Sequence, residues 1–360
     1  MCRWNNTPIV TVVMPVYNSR THLAEAIESI RSQTFPDWEM LVINEYGSRD
    51  GSAEVIDWYQ KKDNRIVFIQ NQEKLGLAES LNKGIRMAQG SYIARMDADD
   101  LSDPTRLEKQ VQYLEQHPEI GLCGTYQHHF GANMNWIHKP AVSPEACKAN
   151  LMFDCDLCHS TVMFRKDCFL QHQLFYNPCY LAEDFELWTR AVREIKFANI
   201  PEVLGKYRWD GTNISIQKKE QLAKENAVIV ANALKRNLGM VVPKEEYCLL
   251  EGWGNPFLKE KDRARRKKMY QKLQELLTDI YYCNRQQGFY QEQALLSILA
   301  SKWRYVRYGE PRNIERVITS IDEIFDPSYR PDYRMMWRTY RERRTGWRED
   351  IRKIWNYLKR

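Results

Sequence analysis

The sequence predicts an α/β fold, in which a sheet flanked by helices occupies residues 1–215 and a basic, mainly α-helical region occupies residues 216–360. The first expectation depends on short β-branched runs that alternate with segments of helical period, a pattern typical of βαβ units and parallel strands. The second depends on the helical period that dominates after residue 216. We therefore expect two units with different partners.

Each element is predicted from its own apolar pattern. The first run is β-branched, and the segment after it carries Leu23, Ala26, Ile27 and Ile30 at helical spacing. The same alternation continues to about residue 115, and a mixed stretch follows. The expected strands are 9–14, 38–43, 65–69, 92–96, 120–126, 160–164 and 203–208, and the expected helices are 21–33, 52–60, 76–88, 104–115 and 182–194.

The composition is that of a globular protein with a sizeable core, since 43% of the 360 residues are hydrophobic and 28% are charged. The sequence has no run of 18 apolar residues, so no transmembrane helix is expected. The first apolar run is broken by Pro15 and is interpreted as a buried strand instead of a secretory signal. A cytoplasmic location follows as an expectation.

The nine cysteines are expected to be free thiols in a reducing compartment. Cys155-x-x-Cys158-His159 has the spacing of half a zinc site. A structural zinc needs four ligands, usually from two paired motifs, and the sequence has no second Cys-x-x-Cys. Free thiols are therefore the favoured interpretation.

Three carboxylates fall within four residues of the segment YIARMDADDLSDPTR, residues 92–106. Asp97, Asp99 and Asp100 would repel one another unless a positive charge lay among them. Carboxylates together with substrate phosphates hold magnesium or manganese in many nucleotide sites. A Mn²⁺ or Mg²⁺ site is favoured for Asp97 and Asp99, and helix capping is the alternative for Asp100 and Asp103.

Polar clusters follow three of the predicted strands. They are Pro15-Val16-Tyr17-Asn18, Asn44-Glu45-Tyr46-Gly47 and Asp97-Ala98-Asp99-Asp100. Ligands of parallel sheets bind beyond the carboxyl ends of the strands. The three clusters are therefore predicted to form one site.

Several ordered motifs between residues 8 and 215 resemble the family 2 glycosyltransferases of the GT-A fold. They are VTVVMPVYNSRTHLAEAIESIRSQTFPDWEMLVI, GSRDGS, LGLAESLNKGIRMAQGSYIARMDADD, CHSTVMFRKD and LAEDFELWTRA. The resemblance implies a GT-A nucleotide-binding mixed sheet and an inverting, metal-dependent transfer of a sugar from a nucleotide-sugar, expected to be a UDP-sugar. The implied acceptor is a hydroxyl of a glycan or lipid-linked glycan, as in polysaccharide or O-antigen biosynthesis. Residues beyond 216 are not covered by it.

The resemblance also implies roles for individual residues. Asp184, beside Glu183, matches the general base, and His159 lies near the acceptor region. Asp99 matches the direct metal ligand, with Asp97 serving the metal or the ribose. The donor site would be lined by Pro15, Tyr17, Asn18, Glu45, Asp97 and Ala98.

Three further residues and three alternatives stay open at this point. Lys74, Asn82 and Arg95 border the predicted site and are candidates for donor contacts, although for Arg95 pairing with a neighbouring carboxylate is slightly favoured over contact with a phosphate. For Glu183 and Asp184, capping of their own helix is the structural alternative. For His159, the structural alternative is a hydrogen bond that only holds the ring in place.

The sequence departs from the family pattern in two places. Asn44-Glu45-Tyr46-Gly47-Ser48 stands where the family has Asp-Asp-Gly-Ser, although a glutamate can still accept from the ring N–H of uracil. Tyr207-Arg208-Trp209-Asp210-Gly211 lacks the metal-binding histidine found in relatives. Asp210 is a candidate replacement, since an oxygen ligand suits magnesium or manganese, and a turn aspartate is the alternative.

These departures leave a second class of function open, a catalytically inactive GT-A-fold protein that binds or scaffolds. A sugar nucleotidyltransferase is disfavoured, because it would need a Gly-rich basic loop after the first strand, where this chain has Pro15-Val16-Tyr17-Asn18.

Charge is distributed unevenly along the chain. Residues 216–360 carry 31 Lys and Arg against 19 Asp and Glu, whereas residues 1–215 carry 22 against 28. Residues 330–360 combine eleven basic side chains with an apolar, aromatic stripe at three- and four-residue steps. Such helices bind anionic membrane surfaces, so the inner face of the cell membrane is an expected partner. Packing of the stripe on the first unit is the alternative, and no nucleic acid is expected.

Overall fold

The structure, a computed structural model, describes residues 7–211, 213–250, 257, 260–308 and 324. Within these residues, nine strands form one mixed sheet in the order β3-β2-β1-β4-β8-β6-β9-β5, and β7 pairs with β6. The strands are β1 Val10–Val16, β2 Trp38–Asn44, β3 Ile66–Gln70, β4 Tyr92–Arg95, β5 Leu101–Ser102, β6 Ile120–Gly131, β7 Met134–His138, β8 Met163–Arg165 and β9 Lys196–Arg208.

Twelve helices are fully delimited in the same residues. They are α1 Arg20–Arg31, α2 Ser52–Lys62, α3 Gly76–Met87, α4 Arg106–Gln116, α5 Pro144–Asn150, α6 Lys166–Gln171, α7 Glu183–Ala191, α8 Ile214–Gln217, α9 Lys219–Leu238, α10 Tyr247–Leu250, α11 Arg263–Gln287 and α12 Glu292–Tyr308. None of these helices is long and apolar enough to cross a membrane. The predicted α/β class with a helical C-terminal region is confirmed.

Parallel pairing of β3, β2, β1 and β4 brings three loops to one edge of the sheet. β1 pairs in parallel with β2 and β4, and β2 pairs in parallel with β3. Most side chains of β1 and β2 are β-branched or apolar and are buried on both faces, as expected for strands covered by helices. The loops after β1, β2 and β4 therefore lie together, as the sequence predicts.

The second half of the sheet differs from the prediction at several strands. The two-residue strand β5 was not predicted, and β6 continues to Gly131 instead of ending at residue 126. β8 begins at Met163, because His159–Thr161 forms a 3₁₀ turn before it. β9 begins at Lys196 and continues past Pro201, where the register with β6 shifts and a bulge accommodates the proline. β7 was not predicted; it is joined to β6 by Ala132 and Asn133, which both have positive φ, as in a tight hairpin turn.

Helix α4 begins two residues later than predicted. Pro104 lies in the preceding turn, where the Asp103 carboxylate accepts hydrogen bonds from the Thr105 amide at 2.9 Å and hydroxyl at 2.7 Å. Asp103 therefore holds the turn that leads into the helix, close to the capping role considered for it.

The C-terminal helices share a core with the sheet. One hydrophobic cluster includes Val13 of β1, Trp188 of α7, Leu234 of α9 and Leu277 of α11, and a second cluster covers the opposite face under α1, α2 and α4. The first turns of α11, within the basic run 259–268, are largely exposed, so this described part is a solvated helix face. The basic stripe of residues 330–360 lies outside the described residues.

Candidate active site

The loops after β1 and β2 are tied together at the edge of the site. Asn18 has a φ of 50°, and its Oδ1 accepts a hydrogen bond from the Arg49 amide at 3.0 Å. Its own amide donates to Ser48 Oγ at 3.1 Å. Next to this junction, Tyr17 is 55% exposed and Pro15 is partly buried. These side chains form an open rim beside the acidic loop.

Glu45 is buried at the end of β2 and faces the N-terminus of α3. Its carboxylate accepts hydrogen bonds from the Leu75 amide at 3.1 Å and the Gly76 amide at 2.6 Å. The Tyr46 amide donates to it as well, at 2.7 Å. Glu45 thus stabilises the positive end of a helix, a contact that the sequence did not indicate.

Arg95 is a buried cation at the centre of the site. It forms an ion pair with Asp97, so of its two predicted roles the pairing with a carboxylate is the one present in this structure. Burial alone would lower the pKa of Arg95, but Asp97 and Asp100 raise it above its ordinary value. The guanidinium stays charged. Its Nε has no hydrogen-bond partner in the described part of the chain.

The acidic loop carries more negative charge than Arg95 neutralises. Burial, the charge of Asp97 and, more weakly, that of Asp210 raise the pKa of Asp99 to about 6. Burial, Asp97 and Asp99 raise the pKa of Asp100 well above its ordinary value. A second cation at this place would relieve the repulsion.

The donor set fits a hard divalent cation. Asp97, Asp99 and Asp210 offer carboxylate oxygens, and magnesium or manganese in nucleotide sites is commonly held by one or two such groups plus substrate phosphates. The described residues contain no group of three or more His, Cys, Asp or Glu side chains already placed to hold a metal. Phosphate oxygens of a donor would have to complete the ligand set.

Asp100 is held by β9 and does not cap a helix. Its Oδ1 accepts a hydrogen bond from the Arg208 amide at 2.9 Å, and the Arg208 guanidinium donates to the Asp99 carbonyl at 2.8 Å. Arg208 also pairs with Glu25 of α1 at 2.6 Å. It therefore clamps the acidic loop in place, a role that the Tyr207-Arg208 motif could have suggested.

Glu183 and Asp184 open helix α7 on the other side of Arg95. Burial and the charge of Asp184 raise the pKa of Glu183 to about 8. Burial also raises the pKa of Asp184, although the Phe185 amide and Arg95 counteract it. The Phe185 amide donates to Asp184 Oδ1 at 2.7 Å, while the other oxygen accepts from the Cys155 thiol at 3.6 Å. One member of this pair can thus accept a proton near neutral pH.

His159 lies between this carboxylate pair and Tyr176. Its Nε2 is 2.8 Å from the Tyr176 hydroxyl, and its Nδ1 is 3.9 Å from both Glu183 Oε1 and Asp184 Oδ2. Burial and Arg95 lower the pKa of His159 well below its ordinary value, so the imidazole is neutral. Sequence reasoning missed Tyr176, because it lies in a loop without a pattern.

Cys155 and Cys158 do not form part of a zinc site within the described residues. Cys155 donates to Asp184, and Cys158 is buried. Burial raises the pKa of both thiols well above the ordinary value. All eight cysteines of the described residues are free thiols.

Lys74 and Asn82, two further residues predicted to contact the donor, are located on or near α3. Lys74 is exposed in the loop before α3. Asn82 is buried, and its amide exchanges hydrogen bonds of 2.8 and 2.9 Å with the backbone of Tyr176. Both ends of the Asn82 amide therefore hold α3 to the loop before α7, and we leave it out of the proposed donor site.

The sequence of this chain is similar to those of known glycosyltransferases. The model of glycosyl transferase family 2 matches residues 11–172. A putative glycosyltransferase, EpsE of Bacillus subtilis, is 34% identical over 253 residues, which cover 68% of this chain and 88% of the relative. Escherichia coli WfgD, a UDP-Glc:alpha-D-GlcNAc-diphosphoundecaprenol beta-1,3-glucosyltransferase, is 27% identical over 234 residues, or 63% of this chain and 89% of WfgD.

Among solved structures, S. aureus TarS 1–349 in complex with UDP has a TM-score of 0.55 and 15% identity, and the match covers 89% of this chain and 93% of the 1–349 chain. This similarity shows a shared fold, the GT-A arrangement of a mixed sheet and flanking helices. The family model and the similar sequences show that the chain is a glycosyltransferase. The chain belongs to glycosyltransferase family 2.

Proposed function

We propose that this enzyme is an inverting, metal-dependent glycosyltransferase that moves a sugar from a UDP-sugar to a hydroxyl of a glycan or lipid-linked glycan. One observation carries the proposal. Two acidic groups, Asp97 and Asp99 after β4 and Glu183 and Asp184 on α7, act electrostatically on one another around the buried cation Arg95. Glycosyl transfer needs one group of residues for the departing diphosphate and another for the base. Asp97 and Asp99 would serve the diphosphate, and the pair on α7 would supply the base.

The donor would bind at the rim formed by Pro15, Tyr17 and Asn18, with Glu45 below it. Support for a uridine nucleotide comes from the solved TarS complex with UDP and from the UDP-Glc in the name of WfgD. Lys74, exposed in the loop before α3, and Ala98, buried in the acidic loop, are the further proposed donor contacts. We retain Glu45 as the proposed acceptor for the uracil ring N–H. Its carboxylate already accepts from three backbone amides and, at 3.4 Å, from the Ser80 hydroxyl, so the uracil N–H would replace one of these donors.

The metal, Mn²⁺ or Mg²⁺, would be held by Asp99, with Asp97 and Asp210 completing the protein side. When bound, it supplies Lewis-acid neutralisation of the charge that builds on the departing diphosphate. Arg95 holds Asp97 in place by their ion pair. Asp210 is close enough for its charge to raise the pKa of Asp99, which supports the proposed replacement of the family's histidine.

Asp184 is the proposed base. Its carboxylate takes the proton from the acceptor hydroxyl as that oxygen attacks the anomeric carbon, and the bond to the diphosphate oxygen breaks on the opposite face. One such displacement inverts the anomeric centre. Glu183, with its pKa of about 8, holds a proton at neutral pH, which leaves the negative charge of the pair on Asp184. The neutral ring of His159 lies beside both groups and would contact the acceptor.

The test compares nucleotide binding with transfer in three proteins. UDP and GDP are titrated calorimetrically into the wild type, Asp99→Ala and Asp184→Asn, with and without Mn²⁺. We expect manganese-dependent UDP binding that Asp99→Ala abolishes and Asp184→Asn retains. Loss of the base should slow transfer from the UDP-sugar by about 10²–10⁴-fold.

Two results would contradict the proposal. Near-normal transfer by Asp184→Asn would remove Asp184 as the base. Failure of the wild type to bind either nucleotide under any condition would mean that the changes at Glu45, Tyr46 and Asp210 are disabling, and a binding or scaffold role would then be favoured.

We also propose the division of the chain at about residue 215, with a catalytic part before it and a membrane- or acceptor-side part after it. The name of WfgD gives its acceptor as a sugar linked to diphosphoundecaprenol. An acceptor on such a lipid carrier lies at a membrane surface. The basic excess of residues 216–360 would favour an anionic surface there.

A further inference from the structure

Four aromatic rings share one face of the sheet next to the acidic site. This aromatic face consists of His129 on β6, Trp136 on β7, Tyr207 on β9 and Trp209 directly after it. His129 pairs in register with both Trp136 and Tyr207, so their side chains point the same way. The ring centroid of His129 lies 4.1 Å from that of Trp136 and 5.1 Å from that of Tyr207.

Short-range contacts hold the rings in place. Trp209 Nε1–H donates to His129 Nδ1 at 2.9 Å, which fixes the imidazole between two indoles. Burial and the neighbouring histidines lower the pKa of His129 to about 4, so the ring is neutral at physiological pH. The hairpin turn with its two positive-φ residues sets the position of β7 and therefore of Trp136.

The aromatic face remains open to solvent at its outer end. Trp136 is 44% exposed, and every residue of β7 before His138 is exposed in the described part of the chain. An indole that is stacked on one side and open on the other presents a flat apolar surface of fixed orientation. Packing of the described core does not require it.

The inner end of the aromatic face reaches the proposed reaction site. Burial and then the charges of Asp97 and Asp100 raise the pKa of Tyr207 to about 12, which places that phenol close to the acidic loop. Gln127, two residues before His129 on the same face, donates to Ser160 Oγ at 2.7 Å, next to His159. The rings thus extend outward from the side where the acceptor hydroxyl must arrive.

We propose that the aromatic face is an acceptor subsite, on which the apolar face of a pyranose ring of the acceptor saccharide stacks against Trp136 and His129. The C–H bonds on one face of a pyranose carry partial positive charge, and the faces of aromatic rings carry partial negative charge. A saccharide is favoured as the occupant because the aromatic face is continuous with the site of glycosyl transfer. This inference rests on the proposed function in one respect, that the acceptor is a glycan.

The test uses the full chain and three variants. Trp136→Ala removes the exposed ring, Trp136→Phe keeps a smaller ring, and Trp58→Ala is the matched control, since Trp58 is 53% exposed on α2 at the other end of the sheet. Each protein is applied to a printed array of bacterial surface glycans, and the best-retained oligosaccharide is then titrated. UDP with Mn²⁺ is titrated into the same samples.

We expect Trp136→Ala to weaken oligosaccharide binding about tenfold, Trp136→Phe to weaken it less, and Trp58→Ala to leave it unchanged. UDP affinity should be equal in all four proteins, which shows that the fold and the donor side are intact. Unchanged glycan binding by Trp136→Ala would overturn the subsite, as would a wild type that retains no glycan of the array. Failure of the wild type to bind UDP would contradict the proposed donor. The comparison of glycan binding between the wild type and Trp136→Ala would still decide whether the aromatic face is an acceptor subsite.

Discussion

At the scale of single residues, the electrostatics of the site depend on one buried guanidinium. Arg95 influences the acidic loop, the pair that opens α7 and the His159 ring at the same time. Removing one member of a buried ion pair typically costs about 3–5 kcal/mol, because the partner charge is left uncompensated. The sequence shows Arg95 beside a carboxylate, but it does not show that all these groups meet there.

Glu183 makes stability depend on pH in a direction that can be predicted. Its pKa is raised from 4.5 to about 8, mainly by burial. A carboxyl whose folded-state pKa is raised contributes stability that is fully present below pH 4.5 and is lost as the pH rises through about 8. We expect the melting temperature of the wild type to fall over this range by several degrees more than that of Glu183→Gln, measured by calorimetry.

Glu73→Gln is the control for this comparison, since Glu73 is exposed in the loop before α3. Its melting temperature should follow that of the wild type at every pH. Parallel curves for the wild type and Glu183→Gln would show that Glu183 is not protonated in the folded protein.

At the scale of elements, the N-terminus of α3 is stabilised by a residue from another strand. Leu75 and Gly76 donate their amides to Glu45, at the end of β2, and Gly76 has a φ of 77° that favours glycine. The sequence signals used to predict a helix cap concern only residues at the start of that same helix. The residue that caps α3 lies 30 residues earlier in the chain, and only the folding of the sheet brings it close to the start of the helix.

Glu45→Ala should therefore loosen the start of α3. We expect a loss of about 1 kcal/mol in the free energy of unfolding, as for other lost caps, and faster hydrogen exchange at the amides of residues 75 and 76. Glu45→Gln should fall between Ala and the wild type, because its amide oxygen still accepts. Glu73→Ala, in the same loop, serves as the control. Unchanged exchange at these two amides would mean that the cap contributes nothing in solution.

At the scale of the whole molecule, two features describe how the two parts of the chain are related. The core joins them, since α9 and α11 contribute to the same hydrophobic cluster as β1 and α7. The charge separates them, since basic residues exceed acidic ones only after residue 215. An excess of positive charge on the second part favours orientation of that part toward an anionic surface.

Flotation with vesicles tests that orientation. We expect the full chain to float with phosphatidylglycerol vesicles and a chain ending at residue 325 to stay in the dense fraction. Binding should weaken at high salt, because the attraction of Lys and Arg to the surface is screened. Phosphatidylcholine vesicles are the neutral control. Equal flotation of both chains would assign any membrane binding to residues before 325.

Sequence alone was sufficient for the parts of this protein that depend on neighbours in the chain. The order of strands and helices up to α4, apart from the two-residue strand β5, follows from apolar period, which local backbone geometry sets. The acidic cluster after β4 and the family resemblance also lie in contiguous segments, and the comparisons confirmed that resemblance.

Tertiary structure decided what depends on residues distant in the chain. The strand β7 escaped prediction because it packs against β6 with its side chains exposed, so no apolar period marks it. The contact of His159 with Tyr176, the bond from Cys155 to Asp184 and the rings around His129 depend on sheet register and loop paths. The sequence by itself determined the class of enzyme and the side chains available for its chemistry. Only the fold decided which of them meet, because long-range contacts are set by packing and not by sequence spacing.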